Sequence, residues 1–299
     1  MIGYLFMLNE VSFAQRQRLQ FIESIVFWEG SIDRPRVAKV FGVTENHVTK
    51  DFSFYREKYP ENLDYDLSRR SYRPGKKFKQ QFSSGLAEEY LSLLRVSQEG
   101  MGVGFTPSIG EGINAEILPS PSGKIDSSIL KEVTRALHNG AGLKISYQSL
   151  KTADKTEREI WPHALVYAGN RWHIRAFDSK YGDFIDLVLQ RILTVKATRN
   201  PAPKKVDQDA LWNNRLTVTL APRSELPEPQ QNVIACEYGM EKIDNQWVWR
   251  NDIRECLVSY FLDAMSLTKP IAHLHLKLRL IETHLLETHC FSVIIGDAQ

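Results

Sequence analysis

The stretch Gly169–Asp178 reads GNRWHIRAFD and alternates apolar with basic side chains on every second residue. In an antiparallel strand, a period of two sends the two sets of side chains to opposite faces. The apolar set is Trp172, Ile174 and Ala176, and the basic set is Arg171, His173 and Arg175. We expect the apolar face to meet a core, so the basic face is either solvated surface or a binding site for an anion.

Short strand-like runs surround this stretch. They are GLKISYQSL at 142–150, REIWPHALVYAGN at 158–170 and DFIDLVLQRILTVKAT at 183–198, and a helix-like run, SSILKEVTRALHNG at 127–140, precedes them. Close spacing and turn residues such as Gly169-Asn170 and Tyr181-Gly182 favour hairpins over strand-helix-strand units. The pattern predicts a small antiparallel β-barrel with one helix before it.

Three helix-like runs open the chain. They are FAQRQRLQFIESIVFW at 13–28, SIDRPRVAKVFGV at 31–43 and TENHVTKDFSFYREKYP at 44–60. Gly30 and Gly42 end the first two, Thr44 is the expected N-cap of the third, and Pro60 prevents its continuation. The next run, NLDYDLSRRSYRPGKKFKQ at 62–80, has the layout of a hairpin. This order predicts a winged helix-turn-helix.

The predicted wing carries the strongest charge signal in the chain. Its basic residues are Arg69, Arg70, Arg73, Lys76, Lys77 and Lys79, with no acidic residue between Asp66 and Glu88. Such side chains neutralise DNA phosphates and release counterions, and Tyr72 can add a phosphate hydrogen bond or a packing contact. A solvated turn is the alternative, but a basic wing directly after a helix-turn-helix favours DNA binding.

The third helix is the expected recognition helix. The residues that we expect at the DNA, off its Val48/Phe52/Tyr55 stripe or at its N-cap, are Thr44, Glu45, Asn46, His47, Thr49, Lys50, Ser53 and Arg56. Those near the helix N-terminus are the expected base readers, whereas Lys50 and Arg56 contact phosphates.

The sequence predicts a multidomain α+β protein. The expected parts are a winged helix at 1–96, a Gly/Pro/Ser-rich linker at 97–123, the barrel at 124–203 and a C-terminal α+β domain at 204–299 that follows PAPKK. Within the last part, RLTVTLAP at 215–222 reads as a strand and DIRECLVSYFLDAM at 252–265 as a helix. The segment 270–289 fits either type of element.

Composition limits the function classes. A net charge of +2 does not by itself indicate nucleic-acid binding, so the clustering of charge matters more than its sum. Three cysteines without a CxxC spacing argue against a disulfide framework and a thiolate zinc site. The opening MIGYLFML lacks a basic region and a cleavage site. We therefore expect a cytoplasmic protein that does not interact with membranes.

The sequence contains no GxSxG, Walker A, HExxH or paired-cysteine motif, so we predict no enzymatic activity and no cofactor. One set of potential metal ligands occurs near the C-terminus: His273, His275, His284, His289 and Cys290. An HxH pair on a strand can chelate zinc, but an amphipathic surface explains the same pattern. We predict no metal site.

Several motifs together resemble those of the WYL-domain transcriptional regulators. They are the helix-turn-helix with its wing, ISYQS at 145–149, PHALVYAGNRWHIRAFD at 162–178 and QRI at 190–192. The chain most closely resembles the subset that controls phage-defence operons, BREX-type systems included, and the resemblance covers most of the chain. It implies a winged helix, an Sm/SH3-like barrel and a C-terminal extension from near Arg215. The family's Trp-Tyr-Leu run is Trp172-His173-Ile174 here, and Gln190 stands where family members often carry serine.

The resemblance implies that the barrel senses a nucleotide or nucleic-acid fragment. The positions that match the family's ligand-binding patch are Tyr147, Ser149, His163, His173, Arg175, Gln190 and Arg191. Arg175 can offer a bidentate fork to a phosphate, and Tyr147 can stack on a base. The alternatives are that Trp172 is core, that His163 bonds a backbone carbonyl and that Arg191 pairs with an acid.

These features predict a homodimeric DNA-binding repressor of a phage-defence operon. We expect the repressor to bind duplex operator DNA and to release it when an anionic effector binds to the barrel. Two alternatives remain open. One is a nucleic-acid-processing enzyme that docks through the winged helix, and the other is an adaptor that binds single strands through the barrel.

Overall fold

The computed structural model describes residues 11–99, 108–119, 121, 123–267, 278–281 and 284. The chain divides into two compact units, Met1–Pro119 and Ser120–Gln299. In the described part, no helix has the length and apolar character needed to cross a membrane.

The three N-terminal helices are confirmed. They are α1 (Phe13–Glu29), α2 (Arg34–Phe41) and α3 (Glu45–Lys58). The side chains of Ser12, Asp33 and Thr44 accept hydrogen bonds from backbone N–H groups in the first turns, which fixes where each helix begins. Gly30 and Gly42 end α1 and α2 in the left-handed conformation.

The wing is also confirmed, as the antiparallel hairpin of β1 (Leu63–Asp66) and β2 (Ser71–Pro74). A further helix, α4 (Ala87–Gln98), follows it. The buried carboxylate of Glu23 on α1 accepts hydrogen bonds from the backbone N–H groups of residues 81, 82 and 83 and from the hydroxyl of Tyr55. This one carboxylate therefore anchors the chain that leaves the wing to both α1 and α3.

The second unit begins with α5 and the predicted barrel strands. These elements are α5 (Ser127–Asn139), β3 (Gly142–Tyr147), β4 (Thr156–Ala168), β5 (Arg171–Asp178), β6 (Asp183–Val188) and β7 (Ile192–Thr198). They form an antiparallel sheet in the order β6-β5-β4-β3-β7, and α5 packs its apolar face on it. A 3-10 turn at Leu189–Arg191 separates β6 from β7, so the run at 183–198 is two strands that bend around the sheet.

The C-terminal part of the same unit mixes helices and strands, as predicted. Its elements are α6 (Ala210–Asn213), β8 (Arg215–Pro222), α7 (Glu228–Glu237), β9 (Glu241–Ile243), β10 (Gln246–Arg254), α8 (Glu255–Ala264) and β11 (Leu278–Leu280). The sheet order is β11-β8-β10-β9. The predicted helix at 252–265 begins three residues later than its pattern indicates, because β10 pairs with β8 as far as Arg254. In the segment of open type, 278–280 is a strand.

The predicted orientation of β5 is wrong in part. Trp172, expected in the core, is 42% exposed, whereas His173 and Arg175 on the supposed surface row are only 2% and 3% exposed. Ile174 and Ala176 do lie in the core. The reason is that the basic face is covered by the C-terminal part: the ring of His173 lies 5.2 Å from that of Tyr260 on α8. Trp172 lies beside the turn that joins β4 to β5, where it pairs with Tyr167, beyond the core.

Candidate DNA interface and effector site

The recognition helix α3 presents its predicted DNA-contacting residues at the surface of the first unit. The exposed ones are Thr44, Glu45, Asn46, His47, Lys50, Ser53 and Arg56. Thr49 is half-buried, and its hydroxyl donates to the carbonyl oxygen of Glu45 at 2.8 Å. Thr44 accepts the N–H of His47. One face of α3 is thus free for DNA, with its N-terminus fixed by a capping bond.

The opposite face of α3 is held by packing and by charge. Val48, Phe52 and Tyr55 are buried in the core. Beside them the guanidinium of Arg18 on α1 donates to both carboxylate oxygens of Asp51, at 2.6 and 3.1 Å. Because the two ions are buried and paired in a bidentate geometry, they fix the orientation of α3 relative to α1.

The wing turn is organised by Asp66. Its carboxylate accepts the backbone N–H groups of Ser68 and Arg69 and the hydroxyl of Ser68, and these bonds lower the pKa of Asp66. All six basic residues of the predicted wing are exposed: Arg69, Arg70, Arg73, Lys76, Lys77 and Lys79. Lys77 pairs with Glu61 at 2.6 Å and Arg73 lies 3.7 Å from Asp66.

Tyr72 does not project with the wing cations. It is buried, and its ring stacks on Phe52 of α3 with centroids 3.7 Å apart. The sequence predicted two possible roles for this side chain, a phosphate hydrogen bond or a packing contact. Its buried position fits the packing contact. The stack joins the wing to α3, so these two elements hold a fixed relative position.

In the second unit, Arg175 of β5 is the centre of a buried ion cluster. Its Nε and Nη2 donate to the two oxygens of Asp209, both at 2.8 Å, and its Nη1 donates to Asp186 at 3.3 Å. Nε2 of His163 lies 2.9 Å from Asp209. Two of the predicted ligand-binding residues, His163 and Arg175, therefore meet, but they meet around a carboxylate of the protein itself.

The charge states in this cluster follow from burial and from the ion pairs. Burial lowers the pKa of His163, and the neighbouring Asp209 only partly opposes this effect. Burial raises the pKa of Asp186. For Asp209 the hydrogen bonds and charge of Arg175 outweigh burial and lower the pKa. Near neutral pH the cluster therefore contains a charged Arg175–Asp209 pair beside a neutral imidazole.

A second group of predicted residues gathers where β5 meets the 3-10 turn. His173, Gln190 and Arg191 lie here, together with Arg171, which belongs to the predicted basic row but not to the predicted ligand set. Burial, and then the charges of Arg171 and Arg191, lower the pKa of His173 to about 4. Within the described part of the chain, neither of these arginines forms an ion pair. Nδ1 of His173 and Oε1 of Gln190 are buried without hydrogen-bond partners there.

Tyr147 and Ser149 lie apart from both groups. Tyr147, expected to stack on a base, is buried in the core; its hydroxyl accepts the N–H of Val188 at 3.1 Å. The guanidinium of Arg158 covers its ring at 4.8 Å. Ser149 is half-buried and its Oγ accepts the N–H of Lys151. The ring of Tyr147 is thus used by the fold and has no free face for stacking.

Sequence reasoning missed Asp209, Tyr260 and Arg171 as site residues. Asp209 and Tyr260 come from the C-terminal part, and no periodicity within β3 to β7 indicates which distant acid or hydroxyl will cover these strands. The pairing of the described strands leaves β6 and β7 at the two edges of the sheet, so it does not close the predicted barrel. Of the potential zinc ligands, His273, His275, His289 and Cys290 lie outside the described residues. Among the residues that are described, no group of three or more potential ligands converges.

Three family models match the chain in order along its length. They are described as the BrxR transcriptional regulator winged helix-turn-helix domain (residues 14–96), the WYL domain (128–197) and the BrxR transcriptional regulator C-terminal dimerization domain (215–284). Together they define the class: a winged-helix transcriptional regulator with a WYL domain and a dimerization domain.

Curated relatives agree with this class. A DNA-binding transcriptional repressor CapW of Escherichia coli strain KTE188 is 30% identical over 260 residues, which span 87% of this chain and 85% of that protein. The CapW of Pseudomonas aeruginosa is 30% identical over 85% of this chain and 84% of its own length. The chain belongs to the CapW family of DNA-binding transcriptional repressors. This membership confirms the family resemblance that the sequence motifs indicated. It also confirms the expectation that the protein is a transcriptional regulator and not an enzyme.

Proposed function

We propose that this protein is a homodimeric transcriptional repressor that binds a palindromic operator, with α3 in the major groove and the wing on phosphates. The observation that carries the proposal is that polar side chains are exposed at the N-terminus of α3 and cations are exposed on a wing turn held by Asp66, while Tyr72 stacks the wing on α3. Asn46 and His47 read bases, while Lys50, Arg56, Arg70 and Lys76 contact phosphates.

Dimerisation follows from the C-terminal part. The family model that matches residues 215–284 is described as a dimerization domain. A single winged helix buries little DNA surface, and two copies related by a two-fold axis match a two-fold operator and multiply affinity. We assign residues 1–96 to DNA binding, 124–203 to sensing and 204–299 to dimerisation, and we place the repressor in the cytoplasm, where its operator lies.

We further propose that the barrel binds an anionic nucleotide or nucleic-acid fragment at the corner formed by Arg171, His173, Gln190 and Arg191. Among the described residues, two cations without ion pairs and two buried polar atoms without partners lie together there. A phosphate can pair with the two guanidinium groups, while the base and sugar can bond to the imidazole and the amide. The resemblance to regulators of phage-defence operons suggests that such a ligand reports on infection.

Relief of repression then requires that the effector bind one dimer geometry better than the other. A ligand with equal affinity for both geometries shifts nothing. We expect the liganded geometry to fit the operator less well.

The experiment is a competition gel shift with the DNA upstream of the protein's own gene, random duplex as competitor and varied salt. We expect selective binding that is lost when Arg70 and Lys76 become Ala, and retained when Lys196, an exposed lysine of β7, becomes Ala. Binding no tighter than to random duplex contradicts the proposal. It would favour a docking role for the winged helix, with nucleotide turnover or single-strand binding at the barrel as the next assays.

A further inference from the structure

We propose that Asp209 is an internal competitor of the anionic effector: its carboxylate closes the part of the predicted ligand patch that Arg175 and His163 form, and an anionic ligand opens this part by displacing that carboxylate. This inference rests on the proposed function, because it assigns to the effector a second point of contact on the same barrel.

The geometry is that of a ligand complex within one chain. Asp209 receives a two-point fork from Arg175, with both distances at 2.8 Å, and a third contact from His163 at 2.9 Å. A bidentate guanidinium and an adjacent imidazole are the groups that proteins use to bind phosphates and carboxylates. Asp209 thus occupies the position that the anionic group of a ligand would take.

The carboxylate that closes the site belongs to a connecting segment and not to a strand of the sheet. Asp209 is not a barrel residue: it lies between the 3-10 turn Val206–Gln208 and the single helical turn α6, in the connection that leads to β8. The side chains of Val206, Asp207 and Gln208 are exposed, so Asp209 is the residue that ties this turn to the buried face of the sheet. On either side of it, Lys204 lies 3.8 Å from Asp183 and the ring of Trp212 lies 5.2 Å from that of His163. Displacing the Asp209 carboxylate therefore removes the side-chain hydrogen bonds between this turn and β4 and β5.

The same segment contacts the C-terminal part. Asp209 caps α6 by accepting the N–H of Trp212 at 3.1 Å, and the Trp212 ring lies 5.2 Å from His163 on the barrel side. On the other side, the guanidinium of Arg254 stacks on that ring at 4.0 Å, where β10 passes into α8. Release of Asp209 is thereby transmitted through Trp212 to the elements that the dimerization model matches.

Arg175 does not become an uncompensated charge when Asp209 leaves. Asp186 stays within 3.3 Å of Nη1, and the hydroxyl of Tyr260 bonds that carboxylate. The incoming anion takes over the Nε and Nη2 donors that Asp209 releases. Exchange of one anion for another keeps the buried guanidinium paired throughout, which makes Asp209 a replaceable partner and Asp186 a permanent one.

The test uses the full-length protein and pyrophosphate as the probe, with binding measured by calorimetry. Asp209→Asn keeps a side chain that can cap α6 but removes the competing charge. We expect pyrophosphate to bind this variant at least tenfold more tightly than wild type. Asp207→Asn, two residues away and exposed, is the matched control and should bind as wild type does. The gain should vanish in the double variant Arg175→Gln/Asp209→Asn.

Two results overturn the proposal: Asp209→Asn binds pyrophosphate no more tightly than wild type, or the gain survives the loss of Arg175. Should Asp209→Asn fail to fold, hydrogen exchange of the wild type decides. Saturating pyrophosphate should speed the exchange of amides 205–214, and unchanged exchange there refutes displacement of Asp209.

A gel shift of the same samples separates the two proposals. A wild type that selects no operator, beside a tenfold gain in Asp209→Asn, refutes the repressor function and leaves the anion site in place. Selective operator binding by the wild type, without the tenfold gain in Asp209→Asn, supports the repressor function and refutes the competition by Asp209.

Discussion

Arg18 and Asp51 form a buried two-point ion pair between α1 and α3, with donor to acceptor distances of 2.6 and 3.1 Å. The pair lies behind the recognition helix, on the side opposite its exposed residues. The orientation of α3 therefore depends on an interaction that none of the residues proposed to contact DNA makes.

Replacing Arg18 by Ala should destabilise the winged helix by about 3–5 kcal/mol, because Asp51 is left buried and unpaired. Urea-dependent hydrogen exchange of α1 and α3 amides measures the loss. The double variant Arg18→Met/Asp51→Leu removes both charges and should recover most of the stability. An equal loss of stability in the single and double variants would mean that the packing of these side chains, and not the unpaired carboxylate, determines the stability.

Gly75 and Lys76 are neighbours in the wing, yet their substitution should have different effects. A Cβ at Gly75 would lie 2.1 Å from the carbonyl oxygen of Glu61, so Gly75→Ala must shift the end of the wing. We expect this variant to lose both operator affinity and stability. Lys76→Ala should leave stability unchanged and lower the slope of log affinity against log salt by about one for each phosphate that the variant no longer neutralises.

Melting curves and gel shifts at several salt concentrations distinguish these two cases. A Lys76→Ala protein with an unchanged salt slope would show that this side chain does not reach a phosphate.

The sequence was sufficient for the local elements and insufficient for the contacts between distant ones. Capping residues such as Thr44 and stop signals such as Gly42 act within a few residues, and they predicted the helix-turn-helix and its wing correctly. The face of β5 was misjudged because a period of two reveals that the faces differ, but not what covers them. Asp209 and Tyr260 cover the basic face from positions 34 or more residues downstream of Arg175.

Because Asp209 and Tyr260 cover the basic face of β5, only some variants of that face can test induction. Arg175→Ala leaves Asp209 and Asp186 without their buried cation, so we expect a loss of about 3–5 kcal/mol in the stability of the second unit. Arg191→Ala breaks no ion pair of the described chain and should leave stability unchanged while abolishing the response to a nucleotide effector. Thermal melts beside a reporter of derepression check both. A stable Arg191→Ala protein with normal induction would exclude this arginine from the effector site.

The acid sensitivity of the second unit should depend on His173. Burial and the charges of Arg171 and Arg191 lower its pKa to about 4, whereas an unfolded histidine titrates near pH 6.5. Between those two values the unfolded chain binds a proton that the folded chain does not, so stability falls as the pH falls through this window. The expected contribution of His173 is roughly 3 kcal/mol between pH 7 and pH 4.

His173→Phe keeps an aromatic ring beside Tyr260 and has no proton to bind, so its stability should fall less over the same pH range. His163 and Asp186 are present in both proteins, so their contributions to the pH dependence of stability cancel when the two proteins are compared. The measurement is the free energy of unfolding in urea at half-unit pH steps. Parallel curves for wild type and His173→Phe would mean that the imidazole takes up its proton inside the fold, which would place an anion or water beside Arg171 and Arg191.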